Sequence, residues 1–409
     1  MTIQSFDTIR SGQTMPPQSE IALANYVAKW RRLYRRDFAG YAIEDIGTGQ
    51  PGPRINWFRR AAQFYGEFMF GERPTVEFDN NARIVEPISP MLLNLLPEMQ
   101  AALIDMVRFG QGIVATHPRN PEYFVRFERD QHIEVENVRG EIEGDVFWRV
   151  RHTGRAGDDE ASITKLVDVY KYPINGPAVW EVYNFTGAAT TGGLGALRLR
   201  ENLPPRAGRQ ALIFEGNRET TSMFEDMEDS IAEMSRTLSR VGFSIRRNLR
   251  PHLYAPAGSI LTEDGSNVRI NEKGMIFPID SGDITPGYLQ WDSRSETVNY
   301  YYNTLRSLLF NMAGLSELLF DPQLFTGALS GEALRRLMIP FYSRLRNYET
   351  VLNTVIEDAV MVWNQNRQAN GQEVFDINRQ DIRVTWPFDA LFTDAEVTPA
   401  IEPGPIAED

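Results

Sequence analysis

The chain has no cysteine among its 409 residues, which excludes disulfides, thiolate nucleophiles and any cysteine-ligated zinc or iron–sulfur centre. Its four histidines, at positions 117, 132, 152 and 252, include no pair at metal-ligand spacing, so no metal site is expected. Only Lys29, Lys165, Lys171 and Lys273 are lysines; the other 38 of 42 basic residues are arginine. Arginine suits bidentate contact with phosphates and carboxylates, although a GC-rich genome would give the same excess. No run approaches eighteen uninterrupted apolar residues, so no transmembrane helix and no membrane role are expected. The opening stretch MTIQSFDTIRSGQTMPPQSE lacks the basic start and apolar block of a secretory signal.

Catalytic signatures are also wanting. There is no G-x-x-x-x-G-K-[ST], no G-x-S-x-G and no H-E-x-x-H, so no cofactor and no catalytic residue is expected. Gly192, Gly193 and Gly195 cluster between strand-like segments with no helix opening after them, the pattern of a hairpin loop and not of a phosphate cradle. The paired acids Glu225/Asp226 and Glu228/Asp229 stand at a helix start, where they complement the dipole instead of doing acid–base work.

What is present is a soluble-protein composition, 42% hydrophobic and 24% charged, with a net charge of −13 that argues against a general nucleic-acid-coating role. The element that organises the chain runs from Ser330 to Trp363. Leu334, Leu337, Met338, Phe341, Leu345, Tyr348, Leu352, Val355, Ile356, Ala359 and Trp363 recur at steps of three and four, the period of a helix with one apolar face. Ser330 is its expected N-cap. Pro340 lies inside it while the stripe continues in phase, so a kink is expected there and not a break. At 1.5 Å per residue the helix would span roughly 50 Å.

In chain order, residues 1–18 read as a flexible arm. Helices follow at 19–36, 54–71 and from the Ser89-Pro90 cap to about 109. Arg31, Arg32, Arg35 and Arg36 could form a basic patch on the first, against the commoner outcome of a solvated face. From Gly112 to Phe214, short β-branched and aromatic segments (GIVATHP, EYFVRFE, HIEVEN, GDVFWRVRHT, ITKLVDVYKY, AVWEVYNF, ALRLREN, RQALIFEG) predict an antiparallel β-rich region. A helix at 219–250 carries acids first and arginines last, in the order the macrodipole favours. A small β island at 252–290 and a helix at 292–315 complete a helix–β–helix insertion. After a loop at 316–330 and the long helix comes a strand at 381–388. The last 21 residues hold Asp389, Asp394, Glu396, Glu402, Glu408 and Asp409 with no basic residue, a disordered composition.

This order of parts, with INWFRRAAQFYGEFMFGERPTVEF (55–78), FDPQLFTGALSGEALRRL (320–337) and VTWPFDALFTDAE (384–396), resembles the portal proteins of tailed bacteriophages over residues 20–395. The resemblance implies an α+β portal fold: a β-rich wing at 1–218, a two-helix stem at 219–251 and 291–315, and a small β clip at 252–290. It further implies a tunnel loop at 316–330, a long kinked tunnel helix with a return strand to the wing at 331–388, and an acidic tail at 389–409. Nothing after Phe388 could form the helical crown common in portals, so the crown is reduced or absent.

The function implied is a ring of about twelve subunits at one capsid vertex of the virion, assembled in the host cytoplasm. It would be the channel for packaging and ejecting double-stranded DNA without reading its sequence. Its other partners would be the terminase large subunit, a head–tail adaptor and the major capsid or scaffolding protein. A ring of twelve would carry roughly twelve times the subunit's −13, which repels a duplex from most of the wall and favours sliding. The candidate channel residues are Gln323, Thr326, Ser330, Arg335 and Arg336, with Arg236, Arg240, Arg246 and Arg247 on the stem. Arg335 and Arg336 could equally pair with a neighbouring subunit's Glu332. Two other readings are a different head–tail connector or minor capsid protein, usually shorter and without the 219–315 module, and a cytosolic enzyme using Asp/Glu chemistry in the β-rich region.

Overall fold

The computed structural model of the chain describes residues 2–3, 5–17, 20–35, 56–79, 82–152, 165–187, 192–217, 219–248, 253–256, 276–279, 287–288, 295–315 and 331–387. It is an α+β protein, the described residues being 50% helical and 28% strand. The chain divides into two compact units. One comprises Met1–Tyr34, Phe58–Glu225 and Phe341–Asp409, the other Arg35–Trp57 and Asp226–Pro340.

All eight strands expected between 112 and 214 form, and they make two stacked sheets in the first unit. β4 (Gln111–His117), β5 (Asn120–Phe127) and β11 (Ala211–Glu215) give a three-stranded sheet in the order β11-β4-β5. β6 (His132–Glu136), β7 (Ile142–His152), β8 (Lys165–Pro173), β9 (Val179–Gly187) and β10 (Gly192–Asn202) form the centre of a seven-stranded sheet. Strand periodicity of two sends Phe147 and Tyr172 to one face and Val146, Trp148, Val167 and Val169 to the other. The first set packs with Ile113, Ala115, Phe127 and Ala211 of the smaller sheet. Gly192 and Gly193 sit inside β10, paired with Gly187 and Thr186, and not in the hairpin loop expected for them.

The second face of the large sheet is covered by the N-terminal residues, which are a structural layer and not the flexible arm expected. β1 (Thr2–Ile3) pairs parallel with β6 at one edge, and β2 (Thr14–Met15) pairs antiparallel with β10 at the opposite edge. Between them the chain crosses the sheet. Ile9 and Met15 are each 1% exposed against Val135, Val146, Trp148, Val167 and Phe185. The strap is also held by hydrogen bonds, Lys171 Nζ donating to the Ile9 carbonyl at 2.8 Å and the Gly12 N–H to the Leu194 carbonyl at 2.8 Å. Ile3, Phe6, Ile9 and Met15 are too few and too spread among polar residues to fit a sustained strand or helix period, which is why the sequence alone reads as an arm.

The helices of this unit lie on the smaller sheet. α1 (Ile21–Tyr34) packs on α3 (Val85–Phe109), and α3 packs on β4 and β5. α3 begins at Val85, four residues before the expected Ser89 cap, and continues through Pro90 and Pro97. Ile88, Met91, Leu95, Met99 and Met106 stay in helical phase and are buried, and that packing outweighs the missing proline N–H groups. It ends at Gly110, whose left-handed φ of 83° lets its N–H bond Met106 O at 2.8 Å. Beside it Thr220 has a positive φ of 53°, and its carbonyl takes a hydrogen bond from Arg129. That anchoring keeps residues 219–224 out of the helix expected to begin at 219; a 3-10 turn at Glu225–Met227 leads into α4 (Glu228–Asn248).

The long helix forms as expected. α6 (Gly331–Ala369) has 39 residues and is unbroken at Pro340. From Phe341 onward its predicted apolar face is buried: Phe341, Leu345, Leu352, Ile356, Ala359 and Trp363 are each fully enclosed. α2 (Trp57–Phe70) receives it through aromatic edges, with the rings of Phe68 and Phe341 5.0 Å apart and those of Tyr65 and Tyr348 5.3 Å apart. At its far end Asn366 donates to Pro121 O at 3.0 Å and accepts from the Ala207 N–H at 3.2 Å. The strand expected at 381–388 is β15 (Ile382–Thr385). It pairs with β3 (Thr75–Phe78), the two forming a separate two-stranded sheet among the described residues. Trp386 behind it is buried and donates to Asn353 Oδ1 of α6 at 2.7 Å.

In the second unit, α4 and α5 (Ser295–Ala313) pack against each other. Between them in the chain lies a three-stranded sheet of β12 (Leu253–Pro256), β13 (Ile276–Ile279) and β14 (Gly287–Tyr288), ordered β13-β12-β14 with β12 and β13 parallel. The acidic tail expected at 389–409 lies outside the described residues.

Candidate functional site

The helix–sheet–helix insertion and the start of α6 carry the residues singled out from sequence. Gln323, Thr326 and Ser330 lie outside the described residues. Arg335 and Arg336 fall in the opening turns of α6, and Arg246 and Arg247 near the end of α4; the side chains of all four lie outside the described residues. Arg236 pairs with Glu233 at 3.0 Å, one helical turn away, and Arg240 is exposed. Glu228 and Asp229 open α4 and the arginines close it, as the macrodipole favours. Along α5 the exposed positions include Tyr300, Tyr301 and Leu308, an apolar and aromatic edge.

Charge in the first unit is arranged differently. Asp105 on α3 is 1% exposed, accepting from Arg108 at 3.0 Å and from Arg126. Arg126 continues to Glu128 at 3.1 Å, and Arg31 of α1 closes the network on Glu128 and on Asp130 at 3.0 Å. Arg31 therefore turns inward and is not part of a surface patch with its neighbours. Burial pushes the Asp105 carboxyl up to about 6 against the opposing pull of Arg126 and Arg108. Burial also acts to raise Glu128, but Arg31 and Arg126 bring it below its ordinary value. These groups lock α1, α3 and β5 together and are committed to one another.

The carboxylates of the large sheet are paired as well. Asp145 contacts His132 Nε2 at 2.9 Å, Asp168 contacts Arg151 at 2.8 Å, and Glu181 contacts Lys171 at 2.8 Å. Held as counterions, they are poor candidates for general acid or base work. In contrast, Arg119, Arg149 and Arg206 converge around His117 with no carboxylate at ion-pair distance among the described residues. Sequence reasoning did not single them out, because they come from different strands and a loop.

Among the described residues there is no group of three or more His, Asp or Glu side chains placed to hold a metal ion, and no helix long and apolar enough to cross a membrane. A scan against protein-family models finds no match to this chain, and a comparison with curated proteins finds none.

Proposed function

We propose that this chain is the subunit of a portal-type ring. It would act at one capsid vertex as a channel for packaging and ejecting double-stranded DNA, and as the docking platform for the terminase large subunit and a head–tail adaptor. The observation that carries the reading is the order of elements: a β-rich body, then α4, a three-stranded sheet and α5, then a 39-residue helix that passes through Pro340, then a closing strand on β3. In that reading α4 and α5 are the stem, the three-stranded sheet is the clip, and α6 is the tunnel helix. The ring has about twelve copies and sits in the virion, against the major capsid or scaffolding protein.

Physical features support it. An acidic subunit with few lysines presents a wall that does not grip a duplex, and scattered arginines centre it through its phosphates. The half-exposed faces of α4 and α5 suit burial between neighbours in a closed ring, which removes the need for a globular core around them.

The test replaces Arg335 and Arg336 with alanine together. The ring assembles as before and DNA packaged or retained per particle falls. Failure of the ring to assemble would assign these arginines to the subunit interface and remove their DNA role.

A further inference from the structure

The cavity where the β4–β5 hairpin meets β7, β8 and β9 has a volume of about 260 Å³ and is walled by His117, Arg119, Phe127, Arg149, Tyr170 and Trp180. Its arginines differ from several others of the same unit. Elsewhere in the same unit Arg31, Arg126, Arg151, Arg209 and Arg367 each meet a carboxylate. Here Arg119 stands over the Trp180 ring at 4.9 Å and Arg149 over the Phe127 ring at 4.4 Å, each held by an aromatic face instead of an acid. Arg206, just behind, stands over Tyr172 at 4.8 Å and donates to the carbonyls of His117 at 2.8 Å and Pro118 at 2.6 Å. Glu98 acts on His117 against those arginines, and its Oε2 already accepts the Arg126 N–H at 2.7 Å.

Three guanidinium groups with no carboxylate at ion-pair distance among the described residues leave a positive field, offset only in part by Glu98 and by Asp168, which accepts the Trp180 indole N–H at 3.1 Å. Burial, then Arg149, Arg206 and Arg119, lower the His117 pKa, so its ring is neutral at physiological pH. Its Nδ1 accepts the Arg119 N–H at 3.3 Å, which leaves Nε2 to donate. Tyr170 and Trp180 both line the space, near-parallel at an interplanar angle of 22° with ring centroids 6.4 Å apart. At about 260 Å³ the cavity lies just below the ~300 Å³ at which ligand sites usually begin, so a ligand of nucleotide size would extend past its mouth.

We propose that this cavity is a binding site for a single nucleotide, its phosphate between Arg119 and Arg149 and its base along the Tyr170–Trp180 wall. A planar anion uses every feature of the site: bidentate guanidinium donors for phosphate, π-faces for the base, and a neutral imidazole to donate to a base-edge acceptor. The proposal does not depend on ring assembly.

Isothermal titration calorimetry of the full chain tests it, with AMP, adenosine, inorganic phosphate and a 5′-phosphorylated tetranucleotide as probes. AMP is expected to bind at least tenfold more tightly than either phosphate or adenosine alone. Arg119→Glu, a change at an exposed side chain, is expected to weaken AMP at least tenfold with an unchanged thermal unfolding profile. Trp180→Leu is expected to bring AMP down to the affinity of phosphate. The tetranucleotide separates sources: affinity matching AMP assigns a strand end, and weaker affinity assigns a free nucleotide. No heat with AMP, equal affinity for phosphate and AMP, or unchanged binding by Arg119→Glu overturns the proposal.

Discussion

Ile9→Ala is the perturbation that separates a structural strap from a loose arm. Ile9 is 1% exposed and belongs to the cluster formed by Val135, Val146, Trp148, Val167 and Phe185 on one face of the large sheet. Truncating it removes three carbons from a packed site whose walls are β-strands, which collapse little. Ile→Ala in such a site costs about 3 kcal/mol, within the ~2–5 range for buried aliphatic truncations, or roughly 150-fold in the opening equilibrium. A residue on a solvated arm would cost less than ~0.5 kcal/mol. Because the chain has two compact units, local exchange is a sharper readout here than a global transition. Hydrogen exchange resolves it: amides of Val146–Trp148 and Val167–Val169 lose about a hundredfold in protection, while those of α4 and α5 keep theirs. Unchanged exchange in β7 and β8 would refute the idea that the N-terminal residues complete the core.

Trp386→Ala removes a buried ring that lies 5.4 Å from Phe70 and bonds Asn353, and is expected to destabilise the docking of α6 by about 3–5 kcal/mol in urea unfolding. Trp386→Phe keeps the ring and loses the hydrogen bond, for a cost near ~1 kcal/mol; equal losses would show that packing on Phe70 contributes nothing. Gly110→Ala forces a side chain at φ 83° against the Thr220 carbonyl and is expected to cost at least ~3 kcal/mol, read as a lower thermal midpoint, with no change contradicting the described cap. Asp105 gives a pH signature. Its folded-state value near 6 lies above the ordinary 3.8, so between those values the folded chain holds a proton that the unfolded chain has released. Its contribution to stability therefore falls as pH rises through that window, by about 3 kcal/mol in total. Comparison with Asp105→Asn from pH 3.5 to 7 should show that slope only in the parent chain; the opposite slope would mean Arg108 and Arg126 outweigh burial.

Much of the local structure is legible in the sequence, because it is written in periodicity. The eight strands between 112 and 214 show alternating β-branched and aromatic residues, and α6 carries an apolar stripe from Phe341 to Trp363 that is buried as its spacing requires. What is not legible depends on partners far along the chain. β3 and β15 are four residues each and pair across about three hundred positions, so neither carries evidence of the other. The strap needs the sheet face beneath it before Ile9 and Met15 become core. The start of α4 is displaced by a carbonyl held from Arg129, a contact no local pattern announces. The aromatic-flanked arginines of the β4–β5 cavity come from β5's turn, β7 and the loop after β10, and only register brings them together.

The central claim is the closed ring, and mass measurement combined with negative-stain electron microscopy of the purified full chain tests it most directly. A particle of about twelve 46.6 kDa subunits with a central hole is expected. A monomer or dimer that persists at high protein concentration and across salt conditions would contradict it.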